Sequence, residues 1–282
     1  MDLKITSEKI ANPLLVELLK KLTDSFKRMN REFYVIGATA RDIIIRQLIG
    51  TASGRKTRDL DIAIAIPDWS AFEEIKESLI ADGFTKSMRM HQRFYYDDYE
   101  LDVVPYGVAK EDDNIYWPPE EEIAMSVKGF DEVLSEAITV SIDDEFDIKI
   151  ASLHGLFLLK FNAWLDRNLE TSKDAEDISF ILSNYFMANL DRNVHTEVYD
   201  WERFDEYIVG GYWIAHDLLL LLNKEQITYY KDCIEKELAK GDESRLVNQI
   251  IEHSYGLTYE TVRDAWQTIA DVFQKAIDDE SI

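Results

Sequence analysis

Between residues 12 and 29 the apolar positions Leu14, Leu15, Leu18, Leu19, Leu22 and Phe26 recur at spacings of three, four and seven. That period predicts one helix with a single apolar stripe. Phe33-Tyr34-Val35-Ile36 is a short aromatic and β-branched run closed by Gly37, so a strand is expected to turn into a helix over Thr39–Ile49. A second strand is predicted over Leu60–Ile66 and stopped by Pro67, with Asp68 or Ser70 placed to cap a helix that ends near Asp82-Gly83. Two more strands, Arg93–Tyr96 and Glu100–Val104, are hinged at Asp97-Asp98 and stopped by Pro105 and Gly107.

Further on, Thr51–Arg58 with its Ser53-Gly54 and the acidic stretch Glu111–Glu122 with Trp117-Pro118-Pro119 read as loops, and short strands return around Ala137–Ile142 and Phe146–Ile148. Beyond Ala151 every periodic segment is helical: 151–166, 174–188, 203–222, 224–240, 243–253 and 258–278, broken at Asn168–Ser172, Asn189–Asp200, Gly241-Asp242 and Gly256. The expected fold class is therefore α+β. A mixed β-sheet with flanking helices fills residues 1–149, and an all-helical region fills residues 150–282.

Composition supports two packed units: 282 residues, 46% hydrophobic and 12% aromatic, are enough for two cores. The net charge of −24 is general, with 18 basic and 30 acidic groups in residues 1–148 and 13 and 25 in residues 149–282. Neither half is a generic polyanion binder by charge. No apolar run reaches the roughly 18 residues of a membrane span, and no basic-then-apolar leader opens the chain. The lone Cys233 has no partner for an intramolecular disulfide. A soluble, cytoplasmic protein without membrane association is expected.

Asp59 and Asp61 are two apart on a predicted strand, so their side chains leave one face while Leu60 and Ile62 leave the other. An isolated Asp-x-Asp is most often the wet side of a strand. Here the strand continues as Ile62-Ala63-Ile64-Ala65-Ile66, where unpaired charge is costly. With Asp102 from another strand, three carboxylates form an oxygen-ligand set suited to two Mg²⁺ or Mn²⁺ ions. Gly37 allows close backbone approach to a phosphate at a helix N-terminus, with Ala38 following it, the Thr39 hydroxyl added beside it and Arg41 a candidate contact for triphosphate oxygens. Taken alone, that glycine is a tight turn.

The five histidines, at 91, 154, 195, 216 and 253, lack metal-ligand spacing, so structural or surface roles are expected for each. Helix-core packing is likewise expected of Tyr212-Trp213 and Tyr229-Tyr230. Arg55, Arg58, Arg89 and Arg93 are candidates to line a substrate cleft or simply to face solvent.

Gly37-Ala38-Thr39-Ala40-Arg41-Asp42, then Asp59-Leu60-Asp61, then Leu101-Asp102-Val103 resembles the nucleotidyltransferase superfamily, most closely the bacterial AbiEii-like nucleotidyltransferases. A second patch, Lys160, Ala163 and Arg167 followed by Lys173-Asp174 and Asp177, resembles the same group. The recognisable motifs span roughly residues 33–178. The resemblance implies a nucleoside triphosphate (NTP) donor, divalent metal held by Asp59, Asp61 and Asp102, and a triphosphate contact from Lys160 with Asp174 in support. It further implies a toxin-like enzyme with an antitoxin-like protein partner. The acceptor stays open between tRNA or other RNA, a protein and a cationic small molecule.

The motif departs from the superfamily at Ala38, where many members carry serine or glycine, and Thr39 is then the nearest hydroxyl. A nucleotide-binding or partner-binding module without turnover is the alternative that this departure motivates.

Overall fold

The computed structural model describes residues 2–10, 12–51, 58–107, 113–118 and 124–279. The chain divides into two compact units, Met1–Ser152 and Leu153–Ile282. Among the described residues, all strands belong to the first unit and the second holds only helices and turns. Arg55, Ser53-Gly54 and residues 111–112 and 119–122 lie outside the described residues, and within the stretch expected to be a loop Asn114–Tyr116 instead forms a strand by pairing with Ala124–Ser126.

In the first unit, β1 (Asp2–Ile5), α1 (Pro13–Arg28), β2 (Tyr34–Ile36), α2 (Gly37–Ile49), β3 (Asp59–Ile66) and α3 (Trp69–Ala81) come first. There follow β4 (Thr85–Lys86), β5 (Arg93–Tyr96), β6 (Tyr99–Gly107), β7 (Asn114–Tyr116), β8 (Ala124–Ser126), α4 (Phe130–Ser135), β9 (Ile138–Ile142) and β10 (Phe146–Ile150). Eight strands form one mixed sheet in the order β1-β9-β10-β2-β3-β6-β5-β4, and β7 pairs with β8 in a separate ribbon. The pairs β1/β9, β10/β2 and β3/β6 run parallel.

The Leu15, Leu18, Leu19, Leu22 and Phe26 stripe of α1 is buried, and the helix opens on an Asn12 cap whose side chain accepts from the Leu14 N–H at 3.0 Å. Asp68, not Ser70, caps α3 by accepting from the Ala71 N–H at 2.9 Å. Pro105 does not stop β6, which continues to Gly107 against β3. The reason is directional. The Val103 N–H donates to the Gln92 carbonyl, so two residues on, the absent N–H of Pro105 faces the same side, beyond the start of β5 at Arg93. Proline is tolerated where no ladder bond is required.

In the second unit, α5 (Leu153–Arg167), α6 (Lys173–Ala188), α7 (Glu206–Leu218), α8 (Lys224–Leu238), α9 (Arg245–His253) and α10 (Tyr259–Asp278) pack around Trp164, Trp213, Trp266, Phe157, Phe161 and Phe273, all fully buried. Among the described residues, no helix is long and apolar enough to cross a membrane.

Helix α7 lies close to two neighbours because it carries Gly210-Gly211. A Cβ on Gly210 would meet the Leu182 carbonyl oxygen of α6 at 2.6 Å, and one on Gly211 the Ala265 carbonyl oxygen of α10 at 3.0 Å. These are backbone atoms with little freedom to yield. Gly210→Ala is accordingly expected to destabilise the protein by about 1–3 kcal/mol, as overpacking does. Denaturant unfolding checks this, and an unchanged midpoint would contradict the close approach.

Candidate active site

The parallel register of β3 on β6 sets Asp59 beside Glu100, Leu60 beside Leu101, Asp61 beside Asp102 and Ile62 beside Val103. Side chains alternate along each strand, so the pairs divide between the two faces of the sheet. Leu60, Ile62, Leu101 and Val103 are fully buried on one face. Asp59, Asp61, Glu100 and Asp102 share the other. Burial falls unequally on the carboxylates: Asp59 is exposed, whereas Asp61, Glu100 and Asp102 are half-buried. Burial of unpaired charge is therefore more costly at Asp61 and Asp102 than at Asp59.

Antiparallel β5 contributes Arg93, opposite Asp102. Its guanidinium donates to both oxygens of Asp102, from Nε at 2.8 Å and from a terminal nitrogen at 2.7 Å, and also donates to Glu100. The hydrogen bonds to Asp102 hold the Arg93 proton more firmly than usual, aided by the charges of Asp102, Glu100 and Asp59 and opposed by burial. Arg93 thus serves as the counter-ion of the acidic face. Arg58 instead pairs with Asp98 at 3.4 Å where both are exposed, and Arg89 is exposed.

Gly37 borders this face. In the β2–β3 pairing Ile36 stands opposite Asp61, and Gly37 then opens α2 with φ +70°. A Cβ at residue 37 would lie 2.2 Å from Asp61 Oδ2, so the bare Cα makes room for that carboxylate. Ile36 at the start of α2 offers no side-chain cap and the first turn carries no acidic residue. The positive end of the helix dipole favours negative charge there.

Ala38 is buried. The Thr39 hydroxyl donates to the Asp59 carbonyl at 3.0 Å and is buried, which ties α2 to β3. Arg41 is also buried, and it ion-pairs with Asp42 at 2.7 Å. In this arrangement Thr39 holds the turn against β3, whereas Arg41 pairs with its neighbour on the same helix. Gly37, Asp59, Asp61 and Asp102 occupy neighbouring positions at this edge of β3 and β6. Glu100 is a fourth carboxylate that the sequence reading passed over, although its spacing from Asp102 repeats the Asp-x-Asp period.

Lys160 and Asp174 meet each other in the second unit. Lys160 Nζ lies 3.3 Å from Asp174 and 2.7 Å from Asp177, while Arg167 donates twice to Asp174 at 2.7 and 2.9 Å. Asp174 and Asp177 are 1% exposed, so two cations on α5 compensate two buried carboxylates on α6.

The residues fit a hard divalent cation by their chemistry: several carboxylates on one face, Asp61 among them pressed against a glycine that leaves it space. A mixed sheet bearing such a face beside a glycine turn is the arrangement expected of a nucleotidyltransferase. More specifically, the chain belongs to the family described as nucleotidyl transferase AbiEii toxin, type IV toxin–antitoxin system, whose model matches residues 20–281. No match is found among curated proteins.

Among solved structures, the chain is similar to the crystal structure of ANT(2'')-Ia in complex with adenylyl-2''-tobramycin, at 14% identity and a TM-score of 0.39, covering 63% of this chain and 89% of that one. It is also similar to the solution structure of the antibiotic-resistance factor ANT(2'')-Ia, at 16% identity and a TM-score of 0.38, covering 63% of this chain and 84% of that one. Family membership, not this distant likeness, carries the functional conclusion.

Arg93→Gln leaves Asp102 and Glu100 without their shared cation and is expected to destabilise the protein by about 1–2 kcal/mol. Millimolar Mg²⁺ is expected to raise the thermal midpoint of this variant more than that of wild type, because added cations then answer the uncompensated charge. Equal shifts in the two proteins would contradict the counter-ion role.

Proposed function

We propose that this nucleotidyltransferase moves a nucleoside monophosphate from an NTP to an acceptor hydroxyl with Mg²⁺ or Mn²⁺ as cofactor, pyrophosphate leaving. The observation that carries the reading is the register of Asp61 on Asp102 beside the Gly37 turn. Asp59, Asp61 and Asp102 are the residues that would hold metal. Bound there, a divalent cation supplies charge neutralisation at the α-phosphate and lowers the pKa of the attacking hydroxyl.

The protein's own part is positional. Gly37, Ala38 and the first N–H groups of α2 cradle phosphate oxygens, with Thr39 tying that turn to β3 and Arg41 one turn further along the same helix. Arg93 orients Asp102, which either ligates metal or accepts the proton of the acceptor hydroxyl.

Family membership supports a toxin restrained by an antitoxin-like protein, and NTP supply together with the lone Cys233 suits the cytoplasm. A surface with net charge −24 favours a protein or a cationic small molecule as acceptor over RNA.

The test is incubation with each labelled NTP, Mg²⁺ or Mn²⁺ and a cell extract. Label is expected in one acceptor class with wild type, and about a thousandfold less with Asp59→Ala/Asp61→Ala, roughly 4 kcal/mol of lost transition-state stabilisation. A double variant that labels like wild type would overturn the assignment. So would a wild-type protein that binds nucleotide without moving label.

A further inference from the structure

One cluster outside the acidic face brings together residues that the sequence scatters. His195, Glu197 and His216 each offer one ligand atom, and these atoms lie within 4.8 Å of one another. Their expected roles as separate structural or surface histidines do not describe this arrangement. His195 and Glu197 flank the start of the turn Thr196–Asp200, and His216 belongs to the last turn of α7.

Several contacts hold the cluster in shape. His195 sits in the left-handed region at φ 56°, uncommon for a side chain of its size. Its carbonyl accepts from Trp213 Nε1 at 2.9 Å, so the buried core of α7 fixes the backbone that presents the ring. The His195 ring lies 3.7 Å from the His216 ring, centroid to centroid. Glu197 accepts a hydrogen bond from the Tyr212 hydroxyl, one turn before His216, and has an oxygen 3.9 Å from His195 Nδ1. Asp217, the other carboxylate nearby, is committed to Arg192 through two bonds of 2.8 Å and to the Tyr185 hydroxyl.

We propose that His195, Glu197 and His216 form a site for one transition-metal ion of the Zn²⁺ class. Two imidazole nitrogens and one carboxylate oxygen are a borderline donor set that favours Zn²⁺ over the Mg²⁺ suited to an all-oxygen face. Tetrahedral bonds of about 2.1 Å require donor atoms about 3.4 Å apart. The two rings stack with their planes 20° apart, so binding one ion requires one ring to turn out of the stack, together with rotation of the exposed Glu197, to close the difference from 4.8 Å. Tyr212 then acts as the outer partner that orients the ligating carboxylate. Such an ion would clamp the Thr196–Asp200 turn to α7, leaving a fourth position for water.

The test uses full-length protein stripped with chelator and titrated with Zn²⁺ against a metal-indicator dye in excess Mg²⁺. Asp59→Ala/Asp61→Ala is expected to keep one Zn²⁺ per chain, while His216→Ala binds at least tenfold more weakly and loses the Zn²⁺-dependent rise in thermal midpoint seen with wild type. Should His216→Ala fold poorly, Glu197→Gln at an exposed position is expected to weaken binding in a folded protein. Zn²⁺ bound equally well by the histidine or glutamate variants, or lost in the aspartate double variant, would overturn the site.

Discussion

Like charges set side by side weaken a sheet, and the register of β3 on β6 sets Asp59 against Glu100 and Asp61 against Asp102. The pairing persists for two reasons visible in the same strands. Their opposite faces are Leu60, Ile62, Leu101 and Val103, all sealed in the core, and a slip of one residue would carry that apolar set into water. Arg93, one strand further, then answers two of the four charges. Apolar burial enforces the register, and the register concentrates the carboxylates. The Gly37 turn depends on this placement too, because its missing Cβ is the space that Asp61 fills.

The second unit meets the same difficulty by another route. Asp174 and Asp177 are almost wholly buried on α6, a position tolerable only because Lys160 and Arg167 reach them from α5. Asp217 on α7 is compensated by Arg192 in the same way. In each case removing the cation alone would leave a carboxylate in a poor solvent for it, which makes the pairs more consequential to break than to have.

Much of this was legible in the residues. The apolar stripe placed α1 to within a residue, the helical segments beyond Ala151 match α5 to α10 to within two residues except α7, which is shorter than 203–222 at both ends, and Asp-x-Asp followed by Leu-Asp-Val located the acidic face. What escaped were features that depend on partners distant in sequence. Strand β1 is four residues long and acquires its identity only from parallel pairing with β9. Pro105 breaks strands in general but not where its missing donor faces no partner. The docking of Arg93 on Asp102 and the meeting of His195 with His216 are set by register and helix packing. Glu100 differs, since its two-residue spacing from Asp102 is legible in the sequence itself.

The Arg93 fork also separates the behaviour of the acidic face from that of the surface around it. Exposed pairs such as Lys4 with Asp144 fade as salt rises, since screening acts within about 8 Å at physiological ionic strength. The mutual repulsion of a chain with net charge −24 fades with them. A bidentate, half-buried guanidinium is far less sensitive. Added salt should therefore relax the outer surface of this protein while the geometry around Asp102 is kept.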